Sequence, residues 1–262
     1  MNMVTDKSVG VLYLIQVGSV QALYRHPVKS FQGERLDESL VETYGLRGDR
    51  SHAFINHDRF GRHLSAKRIP YLLSYQAEFT ESVEDNDFPG IQITSPQGEL
   101  FKWDEAILKH MTDRFGLNIS METYPMNHHG QTAVDEANLL ITTDASLAAL
   151  ADLLGEPVDM RRFRPNIVLR LDSGKPFEEV DWIGRILRIA DVELEVYKQC
   201  QRCIMIGVDP KNANVDLSIL RDVSQQLDAF FGVYAKVVQT GSIQIDDPVW
   251  DRGMGPPSHS SS

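Results

Sequence analysis

The stretch Glu195-Val-Tyr-Lys-Gln-Cys-Gln-Arg-Cys-Ile-Met-Ile-Gly-Val-Asp-Pro210 contains the only two cysteines of this 262-residue chain, Cys200 and Cys203. β-Branched and aromatic residues flank the pair on both sides, which predicts a strand, a turn and a second strand. Thiolates are soft ligands suited to zinc, copper, iron–sulfur clusters or molybdenum. Structural zinc needs four protein ligands, and the chain has neither a second cysteine pair nor a histidine at the usual interval after this one.

Two interpretations of the cysteine pair stay open at this point. A thioredoxin-type pair belongs in a βαβ unit, which the flanking residues do not predict. The remaining functional interpretation is a single metal, bound mainly by a non-protein ligand, with one thiolate added by the chain. The structural interpretation is a buried, unreactive pair, and composition alone favours neither. Arg202 slightly favours metal binding, because a neighbouring cation favours the thiolate form of a cysteine.

Length and charge exclude several classes of protein. A chain of this length forms one large domain or two small ones, and its hydrophobic (42%) and charged (24%) content is typical of a globular protein. The formal net charge of −11 argues against nucleic-acid and anionic-membrane binding. Residues 1–70 nevertheless carry ten Lys/Arg against seven Asp/Glu, so this part is a candidate for binding a small anion. Residues 9–20 suit neither a membrane span nor a secretory signal, so we expect a cytoplasmic protein.

Hydrophobic periodicity predicts a mostly β unit over residues 10–102, followed by helices and strands in alternation. Gly116 and Gly155 mark two helix ends, and Thr143 is a candidate N-cap. The later predicted elements are helices over 103–115, 143–154 and 217–230, strands over 167–171, 234–239 and 243–249, and a hairpin over 183–196.

Three groups of basic residues are further candidates for chemistry. They are Lys29 with Ser30, Arg47 and Arg50 around a glycine turn, and Arg161, Arg162 and Arg164 before Pro165-Asn166. Arginine forks and lysine charges bind phosphate oxygens, and glycine allows a backbone to approach an anion closely. Each group also fits an ordinary solvated surface, and the last fits ion pairs with acids such as Asp159. Together they predict a site for a phosphorylated or pyrophosphate-like ligand.

Six motifs in order resemble the MOSC family, named for the C-terminal domain of molybdenum cofactor sulfurases. The likeness spans roughly residues 16–250 and is closer to the branch that contains the mitochondrial amidoxime-reducing component and its bacterial relatives. The motifs are Tyr24-Arg-His-Pro-Val-Lys-Ser30, Gly45-Leu-Arg-Gly-Asp-Arg50, Leu64-Ser-Ala-Lys67, Phe163-Arg-Pro-Asn-Ile167, Cys200-Gln-Arg-Cys203 with Val208-Asp-Pro210, and Phe231-Gly-Val-Tyr234.

The resemblance implies an α+β fold made of two domains. A β-rich N-terminal MOSC-type domain is expected over residues 10–125, and a C-terminal MOSC β-barrel with a few helices over residues 126–250. A disordered tail is expected over residues 251–262. The cofactor then lies between the two domains, where pockets usually form.

The resemblance also implies a molybdenum centre bound by molybdopterin, which is the molybdenum cofactor. In the amidoxime-reducing branch the second cysteine of the pair ligates the metal, so Cys203 is the expected metal ligand and catalytic residue. Cys200 then supports that ligand or is only structural. Eight residues match positions that line the cofactor, namely Lys29, Ser30, Arg50, Arg164, Asn166, Gln201, Arg202 and Tyr234.

The function implied by the resemblance is reduction of N-hydroxylated compounds such as amidoximes, hydroxylamines and N-hydroxylated bases, a form of detoxification. The chain has too few cysteines for an iron–sulfur cluster of its own. Electrons are therefore expected from a separate redox protein of the ferredoxin, flavoprotein or cytochrome type, with no nucleic-acid or membrane partner. The alternative is a cofactor carrier or sulfur-transfer module without turnover. A third hypothesis is a β-rich protein whose pocket is vestigial or binds another anion.

The chain departs from the family pattern in several places. Relatives often carry small hydroxyl residues just before the second helix, where this chain has Glu136-Ala137-Asn138, so no role is carried over to these residues. Lys211-Asn-Ala213 replaces a common Thr-Gly turn. We expect no counterpart of the membrane anchor of the mitochondrial relatives or of the ferredoxin domain fused to some bacterial ones.

Overall fold

The first strand of the chain completes a closed barrel whose other strands come from the C-terminal half of the sequence. We describe the chain from a computed structural model that covers residues 14–81, 89–127, 130 and 132–254. The strands are β1 (Ile15–Arg25), β2 (Glu34–Leu36), β3 (Glu38–Glu42), β4 (Gly45–Leu46), β5 (His52–Asn56), β6 (Arg62–His63), β7 (Gln76–Phe79), β8 (Ile91–Thr94), β9 (Leu100–Lys102), β10 (Ile119–Thr123), β11 (Leu139–Thr143), β12 (Ile167–Leu171), β13 (Arg185–Ile189), β14 (Val192–Gln201), β15 (Phe230–Gln239), β16 (Gly241–Gln244) and β17 (Pro248–Met254). The helices are α1 (Glu105–Phe115), α2 (Asp144–Leu154) and α3 (Ser218–Gln226).

Seven strands form the barrel, in the order β12-β11-β15-β14-β13-β17-β1, and the pairing of β1 with β12 closes it. Apolar side chains alternate along these strands and fill the interior. Val20, Leu169, Leu194 and Val233 have no exposed surface there, and Trp182 joins them from a short 3₁₀ helix. The predicted α+β class with a β-barrel is confirmed.

Two of the three small sheets and α1 surround a second apolar core, whereas the third sheet, β16-β3-β4, packs Val41, Leu46 and Ile243 against the barrel core. The other two sheets are β10-β5-β6 and β7-β8-β9. Phe31, Phe54, Tyr75 and Met111 lie at the centre of this core. A third, smaller core packs α2 and α3 around Phe163 and related side chains. The residues between the barrel and the second core therefore pack against apolar side chains on both sides.

The sheets cross the predicted domain boundary at residue 125. β1, from the N-terminal side of this boundary, belongs to the barrel whose other strands all lie beyond residue 138. Conversely, β16, from the C-terminal side, pairs with β3 from the N-terminal side. The predicted tail over residues 251–262 is wrong for residues 251–254, because β17 continues to Met254. The rest of that predicted tail lies outside the described residues.

Local sequence signals placed α1 and α2 correctly, whereas the helix predicted over 217–230 is wrong beyond Gln226, since α3 ends there and Phe230 begins β15. Asp104 caps α1 by accepting a hydrogen bond from the backbone N–H of Ala106 at 2.9 Å. The Thr143 hydroxyl accepts from the Ser146 N–H at 3.1 Å at the start of α2. Gly155 ends α2 in the left-handed conformation, with φ of +71°. With 11 residues each, α1 and α2 are the longest described helices, and no described helix has the length and apolarity to cross a membrane.

The second strand predicted after the cysteines is wrong. Ile204–Gly207 forms a 3₁₀ helix, and Val208 makes only an isolated bridge to Val215. The turn buries Ile206 in the third core beside Val223, a contact that an extended chain would not make. Burial of Ile206 therefore outweighed the β-propensity of this segment.

Gly232 of β15 provides a test of how tightly the barrel strands approach each other. A Cβ atom there would lie 2.8 Å from the Ile141 carbonyl oxygen of β11, whereas a Cβ at Gly155 would meet no atom within 4 Å. Both glycines have positive φ, so alanine at either costs about 1–2 kcal/mol. We expect Gly232→Ala to reduce the free energy of unfolding by about 1–3 kcal/mol more than Gly155→Ala in urea denaturation, because overpacking adds strain. Equal losses would contradict this close approach.

Candidate functional site

A cleft of about 460 Å³ gathers all nine residues that the sequence singled out for the site. It lies where β1 ends and where β11 and β12 begin, since Leu23 and Ile141 both pair with Ile167. The nine predicted residues in its walls are Lys29, Ser30, Arg50, Arg164, Asn166, Gln201, Arg202, Cys203 and Tyr234. They come from five separate segments of the chain, which the fold brings together at one place.

One carboxylate bridges two lysines in this cleft. The Nζ of Lys29, which is 8% exposed, donates to the Ala133 carbonyl at 2.9 Å and to Asp135 Oδ1 at 2.5 Å. Lys67 Nζ lies 2.7 Å from the other oxygen of Asp135. Burial lowers the pKa of Lys29 even though Asp135 opposes the shift. Burial alone would raise the pKa of Asp135, but the two lysines outweigh it and hold the pKa at about 2. The two lysines therefore keep the Asp135 carboxyl in its negatively charged form.

Arg164 is the arginine of its group that enters the cleft. Arg161 and Arg162 instead pair with Asp159 and Asp209, at 2.9 Å and 2.8 Å. Arg164 follows the 3₁₀ helix Met160–Phe163 with φ of 56°, which directs its side chain away from those pairs.

The guanidinium of Arg164 is half-buried and has no carboxylate partner in the described part of the chain. Its Nη1 donates to the Phe31 carbonyl at 2.7 Å, and it forms no ion pair within the described part of the chain. Burial, followed by the charge of Arg50, lowers the pKa of Arg164 to about 9. Because removing a cation from water without a counter-ion is costly even when the burial is partial, this region of the cleft is complementary to an anion.

Three of the cleft residues adopt backbone conformations that are uncommon outside glycine. Ser30, Arg50 and Arg164 have φ values of 69°, 51° and 56°. Hydrogen bonds hold the first two segments: the Arg50 N–H donates to the His26 carbonyl at 2.7 Å, and the Ala66 N–H donates to Ser30 Oγ at 3.0 Å. Such strain persists only where the surrounding structure enforces it, and it is common at binding sites.

The two cysteines have different environments. Cys200 is 2% exposed at the end of β14, and Arg202 Nη1 donates to its sulfur at 2.7 Å. Burial first, and then the charge and hydrogen bond of Cys200, raise the pKa of Tyr234 on the neighbouring strand. Cys203 is half-buried just before the 3₁₀ helix, and no described group hydrogen-bonds its sulfur. Cys200 is thus held by the protein, whereas the Cys203 sulfur has no protein partner in the described residues.

Two of the predicted residues mainly shape the cleft. The Asn166 side chain accepts from the Leu140 N–H at 3.2 Å and donates to the Tyr24 carbonyl at 3.3 Å, which ties β11 to β1. Gln201 is exposed at the end of β14, where it pairs with Phe230. Asn166 therefore supports the floor of the cleft, and Gln201 lies at its rim.

The structure adds cleft residues to which the sequence gave no role. Lys67 belongs to one of the six motifs, and its sequence Leu64-Ser-Ala-Lys67 was a usable signal. Asp135 had no such signal, because a carboxylate in a loop is ordinary before its partners are known. The other additional wall residues are Ser65, Ala133, Val134, Glu136, Ala137, Leu140, Phe163, Cys200 and Met205.

Two family models match the chain. The MOSC N-terminal beta barrel domain covers residues 17–144, and the MOSC domain covers residues 125–250. Human mitochondrial amidoxime reducing component 2 is 30% identical over 288 residues, which cover 90% of this chain and 84% of the human protein. The chain belongs to the MOSC family. The bovine component 2 is 29% identical with the same coverage, and human component 1 is 28% identical over 92% of this chain and 85% of its own length.

The overlap of the two MOSC models agrees with the sheet pairing. Residues 125–144 fall in both models and include β11, whose partners β12 and β15 both lie later in the chain. In this MOSC chain no three His, Cys, Asp or Glu side chains of residues 14–81, 89–127, 130 and 132–254 converge as a metal site.

Asp135→Asn tests the lysine bridge. The neutral amide removes the charge that raises the pKa of Lys29, so we expect that pKa to fall further. NMR titration of the lysine side chains measures it directly. Lys175, which is exposed and paired with Asp181 at 2.8 Å, is the internal control and should titrate as before. An unchanged pKa of Lys29 would show that Asp135 does not stabilise its charge.

Proposed function

We propose that the protein binds the molybdenum cofactor in this cleft and reduces N-hydroxylated compounds with electrons from a separate redox protein. The observation that carries the proposal is the meeting of a half-buried thiol with buried and partly buried cations from distant segments in one cleft of a MOSC-family chain. The relatives named amidoxime-reducing components support the choice of substrate class.

The side chains of the cleft fit a phosphate-bearing pterin. Arg164 is half-buried without a carboxylate partner in the described residues, and Lys29 has a pKa lowered by burial, so both gain from an added anion. Arg202 Nε is buried without a hydrogen-bond acceptor in the described residues, which leaves one donor for a ligand. Cys203 adds a soft donor on the same wall.

Each residue then has a definite task in the proposed reaction. When bound, molybdenum supplies two-electron oxygen-transfer chemistry. Cys203 serves as the thiolate ligand, while Lys29, Arg50 and Arg164 bind the anionic parts of the cofactor. The net reaction consumes two electrons and two protons: the N–O bond breaks, one proton adds to the nitrogen, and the other joins the departing hydroxyl, which leaves as water. Lys67 Nζ, exposed beside Cys203, is placed to deliver protons from solvent.

The central experiment combines metal analysis with an assay. Protein from a host that makes the cofactor should contain near-stoichiometric molybdenum, release a fluorescent pterin on oxidation, and reduce benzamidoxime to benzamidine with reduced methyl viologen. Loaded protein that leaves benzamidoxime intact but transfers cofactor to an apo-enzyme would establish the carrier function instead. Absence of both molybdenum and pterin would contradict both functions.

The cysteine pair offers a matched comparison. Cys203→Ser should abolish the sulfur contribution of the protein to the X-ray absorption spectrum of the metal, and should reduce turnover by more than the roughly 10- to 100-fold typical of residues that merely support a ligand. Cys200→Ser should retain that contribution, because its sulfur is bound by Arg202 and Tyr234. If Cys200→Ser removes the contribution and Cys203→Ser keeps it, the ligand assignment is wrong.

A further inference from the structure

A second, wider cleft opens beside the first. Its volume is about 1260 Å³, and it shares Ser65, Lys67, Val134 and Asp135 with the cleft that holds Cys203. Its outer wall includes four exposed residues that we call the basic face: Arg59, Phe60, Arg62 and Arg68. A molecule bound on the basic face would therefore occupy a cleft that adjoins the candidate cofactor site.

The basic face has a positive charge that the protein does not neutralise. Its three guanidinium groups form no ion pair with any carboxylate in the described part of the chain. The two acids that line this cleft have other partners, since Asp58 Oδ2 accepts from the Asn118 N–H at 2.9 Å and Asp135 binds two lysines. The whole chain has a formal net charge of −11, so this local charge is opposite in sign to the net charge of the protein.

Phe60 adds an exposed apolar side chain among these arginines. Its side chain is fully exposed, at 101% of the reference value, and its φ is 55°. A bulky residue seldom adopts this conformation unless its surroundings enforce it. Here the turn is fixed by the Asn56 side chain, which accepts from the Asp58 N–H at 2.9 Å, and by the pairing of Ile55 with His63. The exposed ring is therefore presented on a rigid support.

We infer that the basic face is the docking surface for a small acidic electron-carrier protein, an inference that rests on the proposed reductase function. Unpaired arginines around a rigid aromatic residue favour a partner of opposite charge, and charge complementarity speeds association. Electron-transfer complexes are typically small and transient, and they need few anchors. The cleft that holds this face shares Lys67 with the cleft that holds Cys203, which connects the two sites.

Direct binding tests the docking surface without any assay of turnover. The probes are three acidic carriers, a [2Fe–2S] ferredoxin, a flavodoxin and the soluble domain of a cytochrome b5, titrated calorimetrically against holoprotein below and above physiological ionic strength. At least one should bind, and more weakly at high salt. The combined variant Arg59→Gln, Arg62→Gln, Arg68→Gln should weaken binding roughly 5- to 50-fold at low salt, since each exposed charge contributes modestly. Phe60→Ala should weaken binding at both salt concentrations.

A charge-matched variant is the control. Lys109→Gln, Arg188→Gln, Arg221→Gln removes the same charge from exposed positions that line neither cleft, and should leave binding unchanged. Equal weakening by both variants, binding insensitive to salt, or no binding by any carrier would overturn the inference. A changed KM for a carboxylated amidoxime, with carrier binding intact, would show that the face binds substrate and would overturn it too.

Turnover with reduced methyl viologen separates this inference from the proposed function. The small reductant needs no docking surface, so the basic-face variant should reduce benzamidoxime from viologen as the wild type does, and lose rate only with the carrier. If the wild type itself fails with viologen, the proposed reductase function is wrong, while the binding titrations still decide the docking surface.

Discussion

The pairing of β1 with both β12 and β17 is the constraint on which the cleft depends. It closes the barrel and fixes the point where the chain leaves it, just before Lys29 and Ser30. Backbone hydrogen bonds then join this exit to the turn at Arg50, through the Arg50 N–H to the His26 carbonyl and the Lys29 N–H to the His52 carbonyl. Without this closure, residues that are more than a hundred positions apart in sequence would have no common wall.

The cleft contains cations withdrawn from solvent and strained backbone, both of which lower the local stability of the fold. Lys29 is buried, Arg164 is half-buried, and three cleft residues adopt uncommon backbone angles. Apolar packing on two sides offsets these costs, because the barrel core and the second apolar core enclose the segments that carry the cations. A ligand that supplies negative charge would also stabilise the fold, since binding only to the native state raises its stability.

The cysteine pair shows how neighbouring residues of one type acquire separate roles. Strand geometry and the Arg202 hydrogen bond bury the sulfur of Cys200, whereas the start of a 3₁₀ helix leaves Cys203 half-buried at the cleft. The same turn buries Ile206 in the third core, so packing of an apolar side chain helps to determine where the thiol lies. The site and the core are therefore built together in this segment.

The sequence by itself determined the features that depend on near neighbours. The Thr143 cap, glycine helix ends and apolar periodicity placed α1 and α2, because capping and periodicity involve residues a few positions apart. The ordered motifs also named nine residues that the fold brings into one cleft. Only the tertiary structure decided that Arg164 enters the cleft while Arg161 and Arg162 pair outside it, and that Asp135 bridges two lysines. It also decided that β1 belongs to the barrel. These outcomes depend on burial and on partners far away in sequence, which no local pattern encodes.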